Sequence, residues 1–362
     1  MTTEDQQEHG TQPHAPAIRG TARGTAPAPL SILDLATVGA GHTPAEALAA
    51  TTALAQNAER WGYHRFWVAE HHGMPGVASS TPAVLLAHLG AHTTTLRLGS
   101  GGVMLPNHAP LAIAEQFGLL EALHPGRIDL GLGRAPGTDQ ATARALRRGL
   151  AEGADDFPQQ LAELTHFLDG DFPAGHPYAR LTAVPNGDAR PPIWLLGSSG
   201  FSAQLAGRLG LPFAFAHHFS SANTLPALDL YRDSFRPSAV LTEPYALIGV
   251  SAVAADDEDS ARRLARSAAL GMLRLRRGTP GPIPTPEEAE SYPYSPVEAD
   301  FIDNWLANVV LGAPGDVADG LEALRKRTGV DELMITSHIH GHEARLRSYG
   351  RIAEAYGLTA TA

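Results

Sequence analysis

Three short segments of the chain end in residues that can do chemistry. Glu70-His71-His72 closes "RFWVAEHH" (65–72), Gly101-Gly102 interrupts "LRLGSGGVMLPNHAP" (96–110), and Gly133-Arg134 closes the strand of "GRIDLGLGRAPGTD" (126–139). A histidine in such a place takes or gives a proton near neutral pH, or serves as an ordinary structural histidine. Neighbouring side chains on an extended strand point opposite ways, so one of His71 and His72 faces a shared pocket. Arg134 offers a planar fork to phosphate oxygens, though a surface ion pair uses an arginine in the same way. "GLGRAPG" is also a near-match to a dinucleotide fingerprint, with its third glycine one position late. Glycines inside a buried strand mark a bulge, barrel curvature, or the close approach of a ligand to the backbone.

Two further groups carry a chemical reading. Gly197-Ser198-Ser199-Gly200 follows a strand and opens a helix. Small residues there let backbone N–H groups reach a phosphate, and the helix dipole favours the anion. A strand-to-helix turn draws on the same residue types. "SHIHGH" (337–342), with His71, His72, His217 and His218, has the residue types of a metal hydrolase. Yet no carboxylate is placed as a ligand at the end of that strand, and His340 to His342 fall where the last helix should begin. No metal is expected.

These residues need elements to position them, and from Pro29 onward strands alternate with helices. The expected strands are "PLSILDLA", "HRFWVAE", "TLRLGSGGVML", "RIDLGLG", "PIWLLGSSG", "PFAFAHHF", "YALIGVSAVAA" and "VDELMITSHIH". Helical spacing separates them, with Thr43 and Pro44 as cap and first residue of the first helix. Eight such units imply an α/β fold, a (β/α)₈ TIM barrel with insertions, over residues 29–362. A doubly wound sheet is the alternative, but it would place phosphate-binding glycines near the first strand rather than after the third to fifth. Residues 278–296, rich in proline and glycine, read as a mobile, lid-like insertion.

Composition sets the limits. The 362 residues are 43% hydrophobic, enough for a large core, and the formal charge of −11 argues against nucleic acid or an anionic membrane as partner. Cysteine is absent, which excludes disulfides, thiolate metal sites and cysteine nucleophiles and fits a cytoplasmic protein. No apolar run approaches the roughly 18 residues of a membrane span. Residues 1–28 lack the apolar stretch of a secretory signal and read as a disordered tail.

Taken together, "GYHRFWVAEHH", "LRLGSGGVMLPNHAPLAIAEQFGLLEALHPGRIDLGLGRAPGTD" and "PIWLLGSSGFSAQLAGRLGLPFAFAHHF" resemble the bacterial luciferase-like flavin monooxygenases. The likeness runs from Pro29 to Tyr356 and points to the single-chain, FMN-dependent subgroup. It implies FMN at the C-terminal ends of the barrel strands, supplied in reduced form by a separate flavin reductase. Reduced FMN and O₂ would oxygenate a small organic substrate through a C4a-peroxyflavin. By the same resemblance His71 is the catalytic histidine at the flavin's reactive edge and Arg134 contacts the phosphate. Gly197, Ser198, Ser199 and Gly200 form the phosphate turn, and Gly133 lies near the ring. A non-proline cis peptide of the family matches Gly101-Gly102. A homodimer and a tailoring role in natural-product biosynthesis are further expectations. A deazaflavin-dependent oxidoreductase on the same barrel and a non-catalytic flavin-binding protein stand as alternatives. The insertion at 278–296 matches no family pattern, so the substrate does not carry over.

Overall fold

The barrel closes through eight parallel strand positions. In the computed structural model, which describes residues 18–135, 137–146, 156–185, 187 and 190–359, the strands are β1 (Leu30–Asp34), β2 (Arg65–Val68), β3 (Arg97–Ser100), β4 (Val103–Met104), β5 (Ile128–Gly133), β6 (Ile193–Gly197), β7 (Phe213–Phe215), β8 (Ala246–Ala254), β9 (Val310–Gly312) and β10 (Glu332–Thr336). Their order is β10-β1-β2-β3-β5-β6-β7-β8, and pairing of β10 with β8 closes the ring. The third barrel position is one strand broken at Gly101-Gly102: β3 and β4 both pair with β5. A further short strand, β9, pairs with the C-terminal end of β8.

Helices cover the barrel in the expected alternation: α1 (Pro44–Trp61), α2 (Pro82–Ala91), α3 (Pro110–Leu123), α4 (Gln140–Leu146), α5 (Phe157–Asp169), α6 (Gly200–Leu209), α7 (His217–Ser220), α8 (Thr224–Ser234), α9 (Glu258–Arg276), α10 (Pro286–Ser291), α11 (Pro296–Leu306), α12 (Pro314–Thr328) and α13 (His342–Ala355). Thr43 and Glu46 form a reciprocal capping box at the start of α1, and Gly62 ends that helix in the left-handed conformation. Among the described residues no helix is long and apolar enough to cross a membrane.

Strand alternation sorts two cores. Leu30, Ile32, Phe66, Val68 and Leu98 pack outward against the helices. Leu33, Trp67, Trp194, Leu247 and Met334 pack together inside the barrel. Below them the interior is ionic. Arg65 binds Asp129 through Nη1 at 2.8 Å and Glu332 through Nε at 2.8 Å, and Arg97 binds Asp129 at 2.6 Å. Tyr245 and Ser31 donate their hydroxyls to Glu332, and the Trp67 indole donates to Asp129. Fully buried charges persist only when paired and hydrogen-bonded, and here nearly every lone pair is used.

Three expectations need correction. The tail expected through residue 28 is packed from Ile18 onward: Ile18 is buried, and its carbonyl accepts from Arg65 Nη2 at 2.7 Å, so this segment plugs the barrel's lower end. Residues 1–17 lie outside the described residues, as does 147–150 of the expected fourth helix. The 278–296 segment is not a featureless loop, because Thr285 caps α10 there and Arg263 and Arg274 tie that helix to α9. Helix α8, built from "TLPALDLYRDS", went unassigned in the sequence.

Burial alone pushes the Asp129 carboxyl up, but the Arg97 and Arg65 guanidiniums outweigh it and hold it at about 2. An unfolded aspartate titrates near ~3.9, so this contribution to stability is complete above about pH 4 and is lost as pH falls toward 2. Asp129→Asn leaves two guanidiniums short of a counter-charge and should cost about 3–5 kcal/mol in urea unfolding at neutral pH. Its deficit against wild type should shrink below about pH 3; a deficit independent of pH would contradict this account.

Candidate active site at the barrel mouth

The C-terminal strand ends surround a cavity of about 410 Å³, well within the usual range of roughly 300–1,000 Å³ for a ligand pocket. His71, Gly101, Gly133, Arg134, Gly197, Ser198 and Ser199 all line it. Gly102 and Gly200 adjoin it in sequence without lining it. Four separate stretches of sequence thus meet at one place.

Beyond β2, strand parity separates the adjacent histidines. His72 turns from the cavity and donates to the buried Glu70 carboxylate at 2.9 Å, which also takes His108 at 2.9 Å and the Met104 amide at 3.1 Å. Burial raises this carboxyl, yet the bonds from His108 and His72 more than offset it and leave its pKa lowered. His71 turns inward, its Nδ1 3.1 Å from the Gly137 carbonyl. A carbonyl only accepts, so in the neutral ring Nδ1 carries the proton and Nε2 keeps a free lone pair. Gly137 presents that carbonyl from φ +64°, a conformation costly for other residues. Burial lowers the His71 pKa, with the Gly137 bond acting against it.

Two more imidazoles reach the cavity, His218 and His338. His218 Nδ1 lies 3.2 Å from the Gly249 carbonyl, which fixes the same tautomer as in His71. Burial, with His338 nearby, lowers His218 to about 3, and burial lowers His338 to about 4. Sequence reasoning had left both unassigned. His217, its neighbour, points away and bonds Thr224 Oγ1 at 2.7 Å. In "SHIHGH" the rings also diverge: His340 donates to the Ala40 carbonyl at 2.8 Å, and α13 begins at His342. Among the described residues no group of three or more His, Cys, Asp or Glu is arranged to hold a metal ion.

The floor is backbone. The Gly101–Gly102 peptide is cis. A Cβ at Gly101 would fall 2.6 Å from Leu33 Cδ1, and one at Gly102 would fall 2.9 Å from the Gly131 carbonyl oxygen. Ser100 clamps the adjacent strand, donating to the Gly131 carbonyl at 2.8 Å and accepting from its amide at 3.0 Å. A side chain at Gly102 would have to displace backbone, and one at Gly101 the end of Leu33.

Arg134 stands free where β5 ends. Its guanidinium lies 4.3 Å from the Phe201 ring centroid, a cation–π contact with the first turn of α6. Among the described residues it has no ion-pair or hydrogen-bond partner. Ser199 occupies the cap position of α6 without a capping bond from its side chain, so the first-turn N–H groups stay available.

A strap crosses the mouth. The Ile283 amide donates to the Val38 carbonyl at 2.9 Å, and the Ala40 amide donates to the Ile283 carbonyl at 2.8 Å. Pro280, Gly281 and Ile283 complete the cavity wall. Close approach of Gly281 to Gly76, where a Cβ would sit 2.5 Å from its oxygen, depends on the absence of a side chain.

A family model described as luciferase-like monooxygenase matches residues 29–332. The chain belongs to that family. The protein YvbT of Bacillus subtilis is 52% identical over 327 residues, 90% of this chain and 96% of its own length. A luciferase-like monooxygenase of Escherichia coli K12 is 48% identical over 319 residues, 88% of this chain and 94% of its own. The crystal structure of apo-MsnO8 superposes with a TM-score of 0.84 at 37% identity, covering 92% of this chain and all of that one. Two distant structures share the fold: the oxygenating constituent of 3,6-diketocamphane monooxygenase from Pseudomonas putida, in complex with FMN (18% identity, TM-score 0.68, 92% and 100% covered), and an F420-dependent secondary alcohol dehydrogenase (15%, 0.66, 91% and 99%). A luciferase-like monooxygenase with a (β/α)₈ barrel is thus the frame for the site.

Proposed function

We propose that the protein is a flavin-dependent monooxygenase that takes reduced FMN from a separate flavin reductase and oxygenates a small organic substrate. The observation that carries this reading is Arg134, a guanidinium at the α6 turn with no ion-pair partner among the described residues, on the same cavity as the His71 lone pair. A cation without a carboxylate, beside a helix N-terminus with free N–H groups, fits a phosphate.

When bound, the reduced flavin supplies the electrons for O₂ activation, with one oxygen atom entering the substrate and the other leaving as water. Arg134 and the Ser198-Ser199-Gly200 turn would hold the phosphate. Gly101, Gly102 and Gly133 would let backbone approach the flat ring system. His71 Nε2, already deprotonated, would accept a proton from a group above the ring and return it later. The strap and the apolar wall would keep water out, which strengthens each electrostatic contact inside.

The assembly would be a homodimer. Helices α2 and α3 are mostly apolar, yet Val84, Leu119 and Leu123 on their outer faces are 69%, 50% and 57% exposed. Apolar side chains left exposed on a helix face favour a covering partner, so a second copy of the chain would cover this face. Light scattering should give twice the chain mass, and Leu119→Arg with Val84→Glu should halve it; a wild-type monomer would refute the dimer.

Titration with FMN and with deazaflavin decides the cofactor. FMN should bind, and Arg134→Ala should weaken it by on the order of tenfold to a hundredfold, the loss of a charge-assisted contact. Equal affinity in the variant, or a preference for deazaflavin, would count against the assignment. His71→Ala should keep FMN binding and consume O₂ when given reduced FMN, yet fail to form oxygenated product. Unchanged product formation would remove His71 from the mechanism.

A further inference from the structure

A glycine stands in mid-helix where the helix itself has no use for one. Gly271 lies within α9 and is not among the positive-φ glycines. A Cβ added there would meet Ile283 Cδ1 at 3.4 Å and Pro284 Cδ at 3.6 Å, ordinary contact distances. Alanine would therefore fit, and it would favour the helix. Glycine instead leaves that position bare where α9 faces Ile283 and Pro284, and Gly271 itself lines the cavity.

Gly271 is one of a set. Ala268, Gly271, Met272 and Leu275 recur at the three- and four-residue spacing of a single helix face, and all line the cavity with Ile283 of the strap and Trp305 of α11. None of the six is charged. Around the whole cavity, among the described residues, Arg134 is the one side chain with a permanent formal charge, and no carboxylate lines it.

We propose that the α9 face and the strap form the substrate chamber, that its substrate is an uncharged, apolar molecule, and that Gly271 sets the bulk it admits. The assignment rests on the flavin reading above, which engages Arg134 with the cofactor. A carboxylate entering this chamber would lose its water and find no counter-cation. An aliphatic or aryl chain loses nothing and covers apolar wall. The Ser251 hydroxyl, also on the cavity, can serve a single carbonyl oxygen.

The test titrates FMN-loaded and flavin-free protein with undecan-2-one and with the same ketone carrying a carboxylate at its far end. The neutral ketone should bind at least about tenfold more tightly, a difference of roughly 1.4 kcal/mol. Gly271→Leu should weaken the ketone by a similar factor while FMN affinity and the thermal melt hold. Leu275→Arg, on the half-open edge of α9, supplies the missing cation and should raise carboxylate affinity about tenfold. Equal or inverted affinities in wild type, or no ketone binding at all, overturn the substrate class. Unchanged ketone binding in a folded Gly271→Leu protein overturns the role of that glycine. If FMN fails to bind while the ketone preference persists, the flavin reading fails and the chamber stands.

Discussion

The structure depends on a separation of charge along the barrel axis. Arg65, Arg97, Asp129 and Glu332 meet in the lower interior, where each cation faces a carboxylate at 2.6–2.8 Å. Taking such groups out of water is costly, and their mutual attraction repays it only with near-complete hydrogen bonding. Ser31, Tyr245 and the Ile18 carbonyl, from three other places in the chain, and Trp67 on β2 complete that bonding. The network therefore joins β2, β3, β5 and β10 in one register. With these charges paired below, the upper interior is left to neutral groups apart from Arg134.

This division sets what the mouth can do. Three imidazoles share the cavity, and burial lowers the pKa of all three. They stay neutral, so their free ring nitrogens act as proton acceptors. Which nitrogen is free follows from backbone carbonyls: Gly137 takes the His71 proton and Gly249 takes that of His218. Tautomer is thus fixed by main-chain geometry rather than by a carboxylate, in contrast to His72 and His108, which both lean on Glu70 outside the cavity. A carboxylate behind His71 would hold the proton more firmly on the ring. A carbonyl holds it loosely, which would suit the proton-transfer role proposed for His71.

Much of the site was legible because its signals are local. Alternation along β2 separates His71 from His72, glycines in a buried strand announce a backbone floor, and a Gly-Ser turn before a helix announces uncapped N–H groups on the cavity. Strand and helix order from Pro29 onward yields the barrel for the same reason. What escaped depends on distant contacts. Ile18 is buried because it meets Arg65, 47 residues away, and nothing in "HAPAIRG" encodes that. Arg65, Asp129 and Glu332 read as ordinary polar members of alternating strands, since their pairing spans up to 267 residues. Helix α10 hid behind the prolines around it, although Thr285-Pro286 with Glu288 is a capping pattern. His218 and His338 sat in histidine clusters whose members face different ways, and parity cannot be counted where a strand turns into a helix, as at His217.

The strap shows why the wall of the cavity is harder to read than its floor. It is held by main-chain bonds between Ile283 and residues 38–40, which need no particular side chain, and by the close approach of Gly281 to Gly76, which needs only that position 76 be glycine. Backbone pairing of this kind leaves the sequence free to vary, so no motif marks it. The side chains it presents, with those of α9, are then selected by what they must contact rather than by folding. Gly271 is the clearest instance: helix propensity argues for alanine, packing allows it, and the cavity alone gives glycine a reason. A residue that breaks a local rule without a structural return points to a functional surface rather than a folding one.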